Sequence, residues 1–177
     1  GRFSEALASL EKAKDIGTAF GSITFQGDIE NRIGVIYFHA GRLPEALPHL
    51  LKAVELMQHV GDPYRHLTVL SILVSVHAAM GDLERAEQTL LEATLLLETT
   101  QNLAAKNFLT QGQVLIEMTR GNTKKARAYA LEVEAFSRKY ELLEFLCMAL
   151  FFRAKFEPEP TAIFSEMLKI AQTQGFK

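Results

Sequence analysis

Apolar residues at the start of the chain fall at offsets of three and four, at Phe3, Ala6, Leu7, Leu10 and Ala13, which is the spacing of one face of an amphipathic helix. The same face returns in the next two copies of a longer pattern. Glycine stands at Gly1, Gly41, Gly81 and Gly121, and alanine in the same frame at Ala6, Ala46, Ala86 and Ala126. The apolar column continues through Leu10, Leu50, Leu90 and Ala130, then Ala13, Ala53, Ala93 and Val133, then Ile16, Leu56, Leu96 and Phe136. A period of forty residues belongs to stacked supersecondary units and not to one globular core.

Local signals divide each period into two helices. Ser4 with Glu5, Pro44 with Glu45, Asp82 with Glu84 and Asn122 with Thr123 place cap oxygens, a proline or early acids where helix N-termini leave unpaired N–H groups. These predict helices at 3–19, 43–59, 83–99 and 123–139. A second set enters through Gly21-Ser22, Gly61-Asp62-Pro63 and Gln101-Asn102, and the pattern predicts helices at 23–39, 64–79, 103–119 and 142–155. The earlier members close at the repeat glycine, whose freedom at positive φ completes the turn. A last helix, 161–174, follows the Glu157–Pro160 loop, for nine in all. Two residues resist the pattern. Gly27 sits inside a helix at a cost of about 1 kcal/mol, and Pro48, a turn after Pro44, predicts a bent or delayed first turn.

The glycine that closes one helix, with an alanine five residues on inside the next, resembles the tetratricopeptide repeat (TPR). The best copy runs from Ile33 and Gly34 through Tyr37, Ala40 and Gly41 to Ala46, Leu50 and Ala53. In that family the small residue matching Gly34 lets the two helices approach, and the aromatic matching Tyr37 fills the gap. Later copies depart from it, with Val74 and Val114 for Gly34, His77 and Glu117 for Tyr37, and Thr161 where the last pair lacks its glycine. The resemblance implies an all-α fold, a right-handed α-α superhelix of about nine antiparallel helices, forming a single repeat domain over residues 1–177. Long repeats of this kind look like those of large LuxR-type bacterial transcription regulators, of peptide-sensing regulators and of eukaryotic cargo adaptors. The resemblance therefore implies a scaffold that binds a protein, peptide or effector, as the sensor region of a larger regulator, a passive assembly adaptor or an oligomerisation module. The chain opens in mid-repeat and without methionine, which reads as a piece of a longer polypeptide.

In such a solenoid the first helix of each pair lines the concave face, so the repeat register assigns candidate groove positions. They are Asp28, Asn31, Val35, Phe38 and His39, then Thr68, Ser71, Ser75 and Ala79, then Phe108, Gln111, Leu115, Met118 and Thr119. Asn31 is the most informative, since an amide can both donate to and accept from an extended peptide backbone, and relatives use asparagine there in that way. Ser71 and Gln111 hold the equivalent places. Phe108, Leu115 and Met118 suit either an amphipathic helix in the groove or burial by the neighbouring repeat. Arg32, Lys106 and Asn107 do not reproduce the spacing of the carboxylate clamp of chaperone-binding relatives.

Composition narrows the remaining classes. A hydrophobic content of 48% with 23% charged residues suits an ordered domain, and a formal charge of −2 provides no general field toward nucleic acid or an anionic membrane. The most apolar run, around Cys147, is closed by Arg153 and Lys155 short of the ~20 residues a bilayer span needs. The lone Cys147 forms no internal disulfide and is expected to be buried and inert, in a reducing, cytoplasmic setting. His39, His49 and His59, spaced by ten, give no metal-ligand pattern, and no phosphate loop or nucleophile elbow is present, so neither a cofactor nor an enzymatic activity is expected. Arg120, Lys124, Lys125 and Arg127 form the one basic cluster, expected on a solvated outer face. Phe151, Phe152 and Phe156 mark an uncapped end, where a homodimer could form through the C-terminal helices.

Overall fold

The computed structural model describes residues 2–173, and within them every side chain except those at positions 2, 3, 18 and 144. The side chains of Phe3 and Glu144, and the Gln174 end of the last expected helix, therefore lie outside what is described. The described residues form nine α-helices and no strand. The chain divides into two compact units, Gly1–Lys106 and Asn107–Lys177.

The first unit contains α1 (Arg2–Ala19), α2 (Ile23–His39), α3 (Leu43–Val60), α4 (Pro63–Ala79) and α5 (Leu83–Thr100), each packed on the next. Helix α6 (Leu103–Thr119) begins in this unit and lies mostly in the second, which continues with α7 (Thr123–Lys139), α8 (Leu143–Ala154) and α9 (Thr161–Thr173). These bounds follow the sequence expectation to within two residues because the caps act where the sequence places them. Asp62 accepts from the Tyr64 and Arg65 amides at 3.0 and 3.1 Å, Asp82 from Arg85 at 3.1 Å, and Asn102 from Ala105 at 3.0 Å. Ser22 caps α2 in the same way. Two of the expected start signals act differently: Asn122 makes no side-chain cap bond, and Ser4 lies within α1 instead of at its cap. Helix α3 runs unbroken through Pro48, which lies past the first i→i−4 bond, from Ala46 to Arg42, and so removes the donor that would meet the Pro44 carbonyl.

The turns repeat with the period. Gly41 and Arg42 donate to Phe38 and Tyr37, Gly81 and Asp82 to Ala78 and His77, and Gly121 and Asn122 to Met118 and Glu117, all at 2.8–3.1 Å. These glycines hold φ of 72–82°, the left-handed region that a Cβ disfavours. Glu141 takes the same conformation at φ 55° without being glycine, and the amides of Glu141 and Leu142 close an equivalent turn onto Arg138 and Ser137.

Helices meet through small residues. Ala46, Ala53, Ala86, Ala93, Ala126 and Ala130 are all fully buried. A Cβ on Gly34 would lie 2.6 Å from Leu50 Cγ, and one on Gly27 would lie 2.4 Å from Met57 Cε. Gly27 is thus a close-approach position of the α2–α3 hairpin, which accounts for a helix-interior glycine that sequence pattern alone marks only as a cost. Helix α4 is enclosed on nearly every side: His66, Leu67 and all residues from Val69 to Ala78 are buried. Burial lowers the pKa of both His66 and His77, against partial opposition from Glu92 and Asp82 respectively. Cys147 is half-buried, more open than expected, and burial raises its thiol pKa.

Two outcomes follow. Replacing Glu141 by glycine relieves a left-handed side chain and should raise stability by about 1 kcal/mol in urea unfolding, whereas glycine at the helical, exposed Lys139 should lower it. For His66 and His77 the folded pKa lies below the unfolded value of about 6.5, so the unfolded chain binds protons that the folded one refuses. Stability should therefore be full above about pH 6.5 and fall as pH drops below it. The His66→Gln/His77→Gln chain should lose much of that slope when unfolding midpoints are compared across this range.

Candidate functional site

The positions expected to face the groove divide into three groups by burial. On α2, Asp28, Asn31, Val35 and Phe38 are half-buried and His39 is exposed, and the first four share one side of the helix. The Asp28 carboxylate accepts a charge-assisted bond from Arg65 of α4, which also reaches Asp62 at 3.2 Å. Arg65 thus fastens the starts of α2 and α4 to one another, a role the sequence reading did not assign. One turn further, the Asn31 Oδ1 is buried and has no hydrogen-bond partner among the described residues. Phe38 lies tilted against His39, with ring centroids 5.4 Å apart.

The α4 positions are closed. Ser71 is fully buried and its hydroxyl donates to the Thr68 carbonyl at 2.7 Å, while the Thr68 hydroxyl donates to the Tyr64 carbonyl. Ser75 is buried too, and Ala79 alone is exposed. Back-bonding to the preceding turn satisfies the Ser71 and Thr68 hydroxyls within their own helix, so neither offers a free donor.

In the second unit Phe108 meets Phe145 of α8 edge-on, with centroids 4.7 Å apart. Leu115 and Met118 pack against the cluster of Val114, Ala130 and Phe152. All three pack within the unit while staying half-buried, and Thr119 at the end of α6 is exposed. The polar positions of α6 behave otherwise. Gln111 is 6% exposed with an unpartnered Nε2, and Asn107, one turn before it, is 3% exposed with neither amide atom paired among the described residues. Asn107 is a position the register did not select. Its signal is the spacing of four that stacks its amide over Gln111 on one helical face.

A separate polar cluster ties three helices of the first unit. Glu30 of α2 is 6% exposed and receives Lys14 of α1 at 2.8 Å and His49 of α3 at 2.6 Å. The His49 ring stacks on Tyr37 at 5.7 Å, and the Arg42 guanidinium lies 4.9 Å from the centroid of the same tyrosine ring. Burial pushes the Glu30 pKa up, but the bonds from His49 and Lys14 outweigh it and hold the carboxyl below its ordinary range. In the second unit Glu134 is the corresponding hub, accepting from Arg138 and Arg153 at 2.7–2.9 Å.

Elsewhere Phe151 is exposed while Phe152 is buried and Phe156 packs beside it, so the expected apolar end is only partly open. The larger exposed apolar residues there are Phe164 and Leu168 of α9. Among the described residues no group of three His, Cys, Asp or Glu could hold a metal ion, and no helix is long and apolar enough to cross a membrane.

Comparison with known proteins agrees with this geometry. Residues 25–99 match the family model of the tetratricopeptide repeat. Among solved structures, the chain is similar to nearly identical TPR-like repeats from a Podosopora anserina protein assigned as a kinesin light chain, with a TM-score of 0.56 and 18% identity, over 98% of this chain and 89% of that one. No curated protein is similar to the sequence at a significant level.

Removing the charge at Glu30 tests the hub. Glu30→Gln should destabilise the chain by about 1–3 kcal/mol, the scale of hydrogen bonds to a charged group. Because the folded pKa is depressed, Glu30 contributes stability above its unfolded value of about 4.3 and loses it as pH falls through the folded one. The Gln variant should lack that part of the acid limb in equilibrium unfolding.

Proposed function

Since residues 25–99 are tetratricopeptide repeats, a family that generally mediates protein–protein interaction, we propose that this chain is a binding scaffold whose α2 face takes an extended peptide segment of a partner protein. The observation that carries this reading is the family match over residues 25–99 together with the half-buried α2 face of Asn31, Val35 and Phe38. A side-chain amide on such a face can bond an extended peptide backbone, while an apolar peptide side chain would cover Val35 and Phe38. Asp28 is neutralised by Arg65, so this face selects for backbone and apolar contact more than for charge. The scaffold belongs, in this reading, to the sensor region of a larger bacterial transcriptional or signalling regulator, as the forty-residue period suggests. A parent reading frame carrying a nucleotide-binding motif or a helix-turn-helix supports that context, and one with neither counts against it.

Binding is tested by panning the chain against a displayed library of short random peptides. Retained peptides should lose about tenfold in affinity with Asn31→Ala or Phe38→Ala, the scale of an interface anchor. Asn31→Ala should leave unfolding unchanged or slightly delayed, because the lost oxygen makes no bond in the folded chain. Peptides that bind the Asn31→Ala chain equally well would remove α2 from the site.

A further inference from the structure

The outward faces of α5 and α7 occupy the same repeat positions but carry opposite charge. Stepping forty residues along the chain, Glu84 becomes Lys124, Leu91 becomes Leu131 and Glu98 becomes Arg138. All six are exposed, and at 100° per residue each set of three falls within a narrow stripe of its helix. The stripe on α5 has an apolar centre, with Leu91 65% and Leu95 58% exposed, between acids at either end. On α7 Leu131 is 41% exposed and is flanked by Ala128 and Ala135. Arg127 and Arg138 are engaged by carboxylates of their own unit, Glu157 in one case and Glu134 and Glu166 in the other. The basic character of the face therefore rests on Lys124, Lys125 and Lys139, set against one exposed carboxylate beside Leu131, Glu132. The apolar centre of α5 is a liability on an exposed helix unless something covers it.

We propose that the acidic, leucine-centred face of α5 docks on the basic, leucine-centred face of α7 in a second copy of this chain. Each chain carries both halves of the contact. Pairing α5 with α5, or α7 with α7, would place like charges together, whereas α5 on α7 sets leucine against leucine and carboxylates against lysines. Charges lie at both ends of each stripe, so complementarity holds whether the two helices run parallel or antiparallel. The contact is heterologous, with one surface meeting a different one, so its geometry decides between a closed dimer and an open chain of copies. It uses neither the α2 face of the proposed peptide site nor the apolar residues of α9.

The mass of the full chain measured by sedimentation against concentration tests this. Self-association should be present at ~50 mM salt and weaken clearly by ~500 mM, because exposed charges are screened beyond the shrinking Debye length. Glu84→Lys/Glu98→Lys and Lys124→Glu/Lys125→Glu should each weaken it by about tenfold or more. An equimolar mixture of the two variants should recover it, since the acidic face of one then meets the basic face of the other. Circular dichroism establishes that both variants remain folded. Strictly monomeric mass at every concentration and low salt overturns the proposal. So does association that ignores both charge reversals, or that is abolished only by Phe164→Ser/Leu168→Ser on α9.

Discussion

Two helices can lie against each other only as closely as the side chains between them allow, and this chain meets that limit differently in successive hairpins. Where α2 meets α3, the near-absent side chain is Gly34 and the large one is Leu50, which would stand 2.6 Å from any Cβ added to the glycine. In the second unit the sizes are exchanged: Val114 of α6 faces the core with Ala130 of α7, the residue that replaces Leu50 in the repeat frame. Interior packing near crystal density demands that a gain on one side be matched by a loss on the other. In the middle hairpin both residues are large, Val74 and Leu90, and the excess is resolved by exposure: Val74 is fully buried while Leu90 is only half-buried. The decay of the repeat signature is therefore compensated in volume, and the architecture survives it.

The same constraint explains what could be read from the sequence. Helix bounds were legible because they are set by local chemistry, such as Asp62 capping α4 and glycine closing the turns, which acts within four residues of its cause. Gln101 and Glu141 are the exceptions, left-handed positions without glycine, and at Glu141 the turn still closes through the same local bonds, to Arg138 and Ser137. Burial was less legible. A repeat register states which side of a helix a residue occupies but not whether that side is covered, so Ser71 and Ser75 fit the polar pattern of a groove yet lie in the enclosed α4. Ion-pair hubs were not legible at all. Glu30 finds Lys14 and His49 through the packing of three helices, and nothing in the spacing of those residues marks them as partners.

The buried polar groups differ in how far they are paired, and Glu117 shows both states, with one oxygen on Arg120 and the other unpartnered among the described residues. Glu30 and Glu134 each sit at most 7% exposed and are met by side-chain donors, Lys14 and His49 in one case and Arg138 and Arg153 in the other, so their desolvation is offset and they act as fasteners. Asn31, Asn107 and Gln111 also place amide atoms out of water, yet those atoms have no partner among the described residues. A fastener would be stabilised by such pairing, and an apolar residue of similar size would cost nothing to desolvate. All three lie on α2 or α6, each the second helix of its period, and none on α3, α5 or α7.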